Sequence, residues 1–289
     1  MGRSAILAIV TVMCLFALAT VRGADTDAPF AAAPFDARAA AQLQQETAAH
    51  LDEPVVRTID LGDGAQLELV LIPAGRFDMG SAPPEEAREN DEGPVRRVTI
   101  SKPFYLGRFE VTQTQWKALM RRTRSDFKGA DLPADAVRWA EAVEFCTRLS
   151  EREHETFRLP TEAEWEYACR AGSTTRYSFG DDASFLVQHA WFNTNSNHRT
   201  HPVGRKAANA FGLHDMHGNV WEWCSDWYDN YLSDATVDPT GSPDGCSRVL
   251  RGGSWFCTPG SCRSANRGWN TPHIQDNDVG FRVVMECPE

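Results

Sequence analysis

The sequence predicts a loop-rich fold that mixes a few helices with short strands, and three observations support this prediction. Nine tryptophans and 21 glycines indicate an aromatic core crossed by many turns. Three helices have recognisable patterns, all before residue 173, and only short strand-like runs between Gly, Asn, Asp and Pro follow. With 42% hydrophobic and 24% charged residues, the composition is that of a soluble globular protein. It excludes disordered, collagen-like and coiled-coil classes.

The first 23 residues have the pattern of a secretory signal peptide. Arg3 supplies a positive start, residues 5–19 are uncharged and apolar, and Gly23 precedes the small residue Ala24. This apolar run is shorter than the ~20 residues of a membrane-spanning helix. We therefore expect cleavage after Gly23, a protein exported to the periplasm or the extracellular space, and no membrane association of the mature chain.

Charge and cysteine content restrict the partners and the compartment. The formal net charge of −11 argues against nucleic acid, because the field of the protein would repel phosphates. In an oxidising compartment, the cysteines that remain after cleavage default to disulfides. Their number is odd, so at least one is free, bound to metal or paired between chains. They are Cys146, Cys169, Cys224, Cys246, Cys257, Cys262 and Cys287.

The elements can be assigned in chain order. Residues 24–54 are Ala-rich, which predicts either a linker or, over residues 36–51, a loosely docked helix. A domain spanning residues 55–289 follows. It opens with strand-like runs at 55–59 and 67–72 around Gly62-Asp63-Gly64, which predicts a β-hairpin. Residues 83–94 hold five acids and one arginine among Pro and Gly, which predicts a solvated surface loop.

Two helices carry capping boxes, in which a Thr hydroxyl and a side chain three positions later satisfy each other's backbone amides. Thr112 with Gln115 predicts a helix through Leu119. Thr161 with Glu164 predicts a helix that stops before residue 172. Between them, apolar residues at helical spacing predict a third helix over 139–152.

Several stretches in the same order resemble the formylglycine-generating enzyme family, also called the sulfatase-modifying factor family. The resemblance implies a single α+β domain of modified C-type-lectin type, with few helices, short strands and much irregular loop. It runs from about residue 67 to the C-terminus and rests on residues 72–81, 110–113, 158–168, 211–223, 251–255 and 280–282.

The resemblance also implies a catalytic centre at Cys257 and Cys262, which follow Gly252-Gly253-Ser254. In the active enzymes two such cysteines hold Cu(I), and dioxygen oxidises a cysteine of a protein substrate to formylglycine. Paired thiolates suit this soft ion. Cys257 and Cys262 are then the copper ligands, and Ser254 lies beside the substrate.

A disulfide is the alternative for Cys262. The stretch from Ser254 to Arg267 is about three residues shorter than in the active enzymes. This brings Cys262 nearer the position of a cysteine that forms a structural disulfide in family members, here with Cys169. A second family disulfide would join Cys146 to Cys287.

The loop from Asp215 to Glu222 resembles a calcium site of the family. Calcium prefers hard oxygen donors. The resemblance implies side-chain ligation by Asp215 and Glu222, and backbone carbonyl ligation by Gly218 and Val220. The alternative is a core loop in which the acids are hydrogen-bonded and no ion is bound.

Three functions follow from these patterns. The first is an exported copper-dependent oxidase of cysteine in a protein or peptide substrate. The second is a catalytically degenerate lectin-like module, which binds a ligand or protein through the polar and aromatic loop from Trp255 to Val279. The third is a tailoring oxidase of a secreted metabolite. The sequence does not predict an oligomeric state.

Overall fold

Short strands joined by long connections dominate the computed structural model, which describes residues 28–122, 124–231 and 234–288. The predicted signal peptide lies outside the described residues. The helices are α1 (Ala37–Leu51), α2 (Gln113–Met120), α3 (Trp139–Glu153), α4 (Glu162–Arg170) and α5 (Leu186–His189). The strands are β1 (Ala31–Ala32), β2 (Val56–Gly62), β3 (Ala65–Ile72), β4 (Gly75–Met79), β5 (Arg96–Ile100), β6 (Phe104–Gly107), β7 (Phe157–Arg158), β8 (Trp221–Trp227), β9 (Thr236–Val237), β10 (Arg248–Arg251), β11 (Gly268–Asn270), β12 (Val279–Gly280) and β13 (Val284–Glu286). The predicted α+β class is confirmed.

The strands form three sheets with the orders β2-β3-β6-β13-β7, β1-β4-β5-β9 and β11-β10-β8-β12. The predicted hairpin is β2 and β3, which pair antiparallel with Ile59 opposite Leu67. Asp63 and Gly64 connect them with φ values of 53° and 77°. A two-residue turn with positive φ at both positions matches the twist of an antiparallel pair, so these two residues fix the register.

The helices begin where the capping boxes predict. The Thr112 hydroxyl accepts from the Gln115 amide, and the Gln115 side chain accepts from the Thr112 amide at 2.8 Å. Thr161 and Glu164 repeat this exchange at the start of α4. The predicted helix over 139–152 is α3, which ends one residue later. Local hydrogen bonding of the backbone therefore decides these starts.

The described part of residues 24–54 contains the predicted helix, which is α1, but this segment is folded onto the domain rather than being a linker or loosely docked. Ala31 pairs with Gly75 in the β1–β4 ladder, and α1 packs Ala40 fully into the core. The buried side chain of Gln44 donates to the carbonyls of Leu71 at 2.9 Å and Phe211 at 3.1 Å. The alanines that made the helix look weakly amphipathic allow this close approach. Within the described ranges, no helix has the length and apolarity to cross a membrane.

Candidate functional site

The sheet of β8, β10, β11 and β12 brings three distant loops to one edge. Strand β10 runs antiparallel to β8, whereas β12 runs parallel to β8. The end of β10 and the beginnings of β8 and β12 therefore meet at this edge. The chain after β10 carries Cys257 and Cys262, the loop before β8 carries Asp215 to Val220, and Asp278 immediately precedes β12. Topology thus assembles the candidate site from residues far apart in sequence.

Two glycines allow the chain after β10 to turn over the buried thiol. Gly252 and Gly253 have φ values of 96° and 75°, which side chains other than glycine rarely adopt. A Cβ on Gly253 would lie 2.9 Å from Sγ of Cys262, which is closer than real Cβ contacts. The Gly-Gly pair is therefore required for the backbone to pass against Cys262.

The structure brings together the three predicted catalytic residues. Cys262 is fully buried in a small cluster with Tyr177, and the half-buried Cys257 packs against the same cluster. The hydroxyl oxygen of Ser254 lies 3.4 Å from Sγ of Cys257 and donates to Oδ2 of Asp278 at 2.8 Å. Because this donation uses the hydroxyl proton, Ser254 presents a lone pair to the Cys257 thiol.

Burial favours the thiol form of both cysteines. It raises the pKa of Cys257 and raises the pKa of Cys262 far above its ordinary value; the charge of Cys257 adds to the shift at Cys262. Two thiolates at this site therefore need a compensating cation. A soft monovalent metal meets both requirements, so the donor set fits Cu(I).

A buried ion pair fixes the residue after Cys262. The Arg263 guanidinium is fully buried and donates to both oxygens of Glu92, at 2.8 and 2.5 Å, and to Glu85 at 2.6 Å. Burial alone would raise the pKa of Glu92, but hydrogen bonds from Arg263 and Ser81 bring that pKa below its ordinary value. Residues 83–94 are predicted to form a solvated surface loop. The structure corrects this prediction in part, because two acids of the segment face inward and neutralise Arg263.

The Cys169–Cys262 disulfide is not formed, since all seven cysteines of the described residues are free thiols. The Cys169 sulphur lies 3.7 Å from the Met216 carbonyl oxygen. Burial raises the pKa of Cys169, and the nearby Ser264 side chain lowers that pKa by a smaller amount. Ser264, two residues beyond Cys262, thus faces Cys169. The chain turns Cys262 toward Cys257 instead, which corrects this alternative.

The second disulfide is not formed either. Cys146 is buried within α3, and Cys287 is a half-buried thiol near the C-terminus. Burial raises the pKa of each thiol to about 12.

His217 supports the site, although its Gly- and Asn-rich sequence context predicts only an ordinary loop histidine. Its Nδ1 lies 2.9 Å from the Cys262 carbonyl oxygen, and its Nε2 accepts from the Ser178 amide at 3.1 Å. Burial lowers the pKa of His217 to about 4, so the ring is neutral at physiological pH and Nδ1 carries the proton. A histidine in an irregular loop carries no periodic signal from which this contact could be predicted.

The residues predicted to bind calcium are only partly available. Glu222 accepts from Arg282 at 2.6 and 2.5 Å and from the Trp165 indole at 2.7 Å, so both its oxygens are engaged. Asp215 is buried, and its Oδ1 has no hydrogen-bond partner. Across the described ranges, no three His, Cys, Asp or Glu side chains converge as a metal centre. Of the predicted set of Asp215, Gly218, Val220 and Glu222, Asp215 therefore has an oxygen without a hydrogen bond, whereas Glu222 already accepts three.

A lectin-like α+β domain with a Cys-x4-Cys pair after Gly-Gly-Ser defines a class of protein. The chain belongs to the family of the sulfatase-modifying factor enzyme 1-like domain, whose model matches residues 63–287.

Similar proteins include active and inactive members. Formylglycine-generating enzyme of Bos taurus is 31% identical over 287 residues, covering 76% of this chain and 75% of that protein. The enzyme of Thermomonospora curvata is 30% identical, covering 75% and 93%. Inactive Cα-formylglycine-generating enzyme 2 of Bos taurus is also 30% identical, covering 79% and 91%. Identity at this level therefore shows the family but does not distinguish its active members from its inactive ones.

Solved structures show the same fold. Treponema denticola variable protein 1 has a TM-score of 0.75 and 28% identity, covering 81% of this chain and 99% of that one. PvdO from Pseudomonas aeruginosa has a TM-score of 0.71 and 29% identity over the same shares. These likenesses confirm the lectin-like α+β fold.

Proposed function

We propose that this protein is an exported copper-dependent oxidase that converts a cysteine of a protein or peptide substrate to formylglycine. One observation carries the proposal: Cys257 and Cys262 are free thiols packed in one cluster, with Ser254 beside Cys257. The alternative, a disulfide that would remove Cys262, has no support in the structure, since Cys169 and Cys262 are both free thiols.

The proposed reaction needs a metal that activates dioxygen, and the chain supplies its ligands. Cys257 and Cys262 would hold Cu(I), which provides the redox chemistry when bound. Oxidation of a CH₂–SH group to an aldehyde with release of sulfide removes two electrons from the substrate. Reduction of dioxygen to water takes four, so two equivalents of a reducing thiol supply the other two electrons and become a disulfide.

The surroundings of the thiols fix their roles. Arg263 and the acidic segment anchor the buried Cys262, whereas Cys257 is half-exposed beside the exposed ring of Phe256. The substrate would therefore approach from the Cys257 side. Ser254 is held by Asp278, so its oxygen is already oriented when the substrate arrives.

Copper binding tests the proposal before any substrate is needed. The reduced protein, titrated anaerobically with Cu(I), is expected to bind one ion per chain with thiolate-to-copper absorption. Cys257→Ser and Cys262→Ser should each lose it. Cys246→Ser is the matched control, because Cys246 is exposed and lies outside this cluster. Equal binding by all four proteins would contradict the proposal.

Export is a separate part of the proposal, supported by the pattern of residues 1–23. Sequencing the N-terminus of the protein from the periplasm or culture medium should find Ala24. Intact residues 1–23 in the cytoplasm would contradict it.

Two exposed aromatic rings support a second candidate, a lectin-like binding module. Phe256 and Trp269 are 64% and 56% exposed within the loop from Trp255 to Val279. Large apolar side chains displayed together with polar loop residues are typical of binding surfaces. This candidate predicts that ligand or protein binding survives Cys257→Ser and is lost on Phe256→Ser, as measured by pull-down from the native secretome.

A further inference from the structure

Three aromatic rings in contact lead from Cys257 to a surface arginine. Phe256, the residue before Cys257, meets the Trp255 ring edge-to-face, with the two centroids 5.6 Å apart. The Trp255 ring meets the Phe127 ring in the same way at 5.7 Å. The Arg199 guanidinium lies over Phe127, 5.7 Å from the ring centroid. The contacts therefore join three separate segments of the chain, and we call Phe256, Trp255, Phe127 and Arg199 the aromatic track.

The track is exposed at both ends and supported in the middle. The Phe256 ring is 64% exposed, Arg199 is exposed and Phe127 is half-buried. Trp255 is only 8% exposed, and its indole N–H donates to the Asn277 carbonyl at 3.2 Å. The rings are therefore ordered before any ligand arrives, which lowers the entropic cost of binding.

Arg199 ends the track with a positive charge. In the described parts of the chain no carboxylate pairs with Arg199, which contacts the Phe127 ring. A guanidinium held over a ring stays oriented and keeps its N–H donors available for a carboxylate. An acidic ligand is repelled by the net charge of −11 unless a local cation receives it. A ligand along the track therefore gains from apolar surface at Phe256 and from an acidic group at Arg199.

The length of the track limits the spacing of these two groups in a ligand. Each of its three steps spans 5.6 to 5.7 Å, so Phe256 and Arg199 are separated by at most about five residues of extended chain at ~3.3 Å each. Cys257 adjoins the Phe256 end, so the reacting group of a ligand would lie at that end.

We infer that the substrate of this site is a peptide segment in which a large apolar residue flanks the reactive cysteine and an acidic residue follows or precedes it within about five positions. The inference rests on the proposed oxidase, because it takes the Cys257 side as the place where the substrate cysteine binds. The apolar residue packs on Phe256, and the carboxylate pairs with Arg199. Trp255 and Phe127 support the chain between them.

Peptide binding without copper tests the inference. Fluorescence polarisation compares short labelled peptides in which serine replaces the reactive cysteine, leucine stands beside the serine and glutamate lies about five positions away. Two series place the glutamate before or after the serine, because an extended chain can run along the track in either direction. In the series that fits the track, glutamine in place of glutamate should weaken binding about threefold at low salt, and high salt should remove the difference.

Variants of the protein test the two ends of the track separately. Arg199→Gln should lose the preference for glutamate over glutamine, and Arg199→Glu should prefer a peptide with lysine at that position. Phe256→Ser should weaken binding of the leucine peptides about tenfold. Arg205→Gln is the matched control and should keep the preference for glutamate, because Arg205 is an exposed arginine of the same segment without a ring contact in the described ranges.

Equal binding of the glutamate and glutamine peptides, equal effects of Arg199→Gln and Arg205→Gln, or no binding of any peptide would each overturn the inference. Neither copper nor a reactive cysteine is present, so this outcome is separate from that of the oxidase. An aldehyde formed without any preference for glutamate contradicts the peptide assignment alone. A preference for glutamate in a protein that binds no Cu(I) contradicts the oxidase alone and supports the track as a peptide-binding surface.

Discussion

Replacing Arg263 with methionine should be among the most destabilising single changes near the site. Arg263 is fully buried, and it donates to Glu92, which is also fully buried. In Arg263→Met, Glu92 keeps the Ser81 hydroxyl at 2.6 Å but loses the cation that compensates its charge. An uncompensated buried charge typically costs about 3–5 kcal/mol. That is a large fraction of the roughly 5–15 kcal/mol of a typical domain.

Urea unfolding and thermal melts would measure the effect. For a chain of this size, about 2–4 °C is lost per kcal/mol, so the melting temperature should fall by roughly 6–20 °C. The control is Arg97→Met, because Arg97 pairs with Asp78 at the surface, and such pairs contribute about 0–1 kcal/mol.

A second substitution identifies the cause. Adding Glu92→Gln to Arg263→Met removes the stranded charge, so the double variant should be more stable than the sum of the two single effects predicts. In the unmutated protein, Arg263 lowers the pKa of Glu92. The stabilisation that this pair contributes is therefore present above the unfolded pKa of Glu92, and it is lost as the pH falls through the folded pKa. Equal destabilisation by Arg263→Met and Arg97→Met, or simple additivity with Glu92→Gln, would refute the reasoning.

Three further predictions concern the scaffold. Burial and the charge of Glu162 raise the pKa of Asp226 from 3.8 to about 7. Between these two pH values the folded state keeps a proton that the unfolded state releases. The free energy of unfolding should therefore fall by up to ~4 kcal/mol as the pH rises from about 4 to about 7. Asp226→Asn should flatten this profile, and an unchanged slope would count against it. Gln44→Ala should cost about 1–3 kcal/mol in urea unfolding, because two buried carbonyls lose their donor; no loss would restore the linker interpretation. Ser264→Cys should form a disulfide with Cys169, detectable in non-reducing peptide maps. In the unmutated protein, a disulfide between Cys169 and Cys262 would show that Cys262 is wrongly assigned as a copper ligand.

What the sequence predicted correctly was set by neighbouring residues. The Asp63-Gly64 turn and the Thr112 and Thr161 caps are short-range hydrogen-bonding and backbone effects, so they are legible without tertiary contacts. The proximity of Ser254 and Cys257 is likewise local, since three positions separate them.

The errors came from contacts distant in sequence. Gln44 of α1 donates to the Phe211 carbonyl, and Glu92 accepts from Arg263. Because these partners lie far away in sequence, the residues around Gln44 and Glu92 do not predict that α1 docks or that the acids face inward. The expected disulfide failed for a similar reason, because only the fold shows that Ser264 faces Cys169. The hydrogen bond from Arg282 to Glu222 spans 60 positions, so the Glu222 segment alone does not show it either.

The most direct test of the proposed oxidase is product formation on a peptide. The reduced protein, loaded with Cu(I), is incubated with dioxygen, a reducing thiol and a Cys-x-Pro-x-Arg peptide, and the peptide mass is recorded. We expect an aldehyde product from the unmutated protein and from Cys246→Ser, and none from Cys257→Ser. An unmodified peptide in a sample shown to contain one Cu(I) per chain, or an aldehyde that persists in Cys257→Ser, would contradict a catalytic thiol pair.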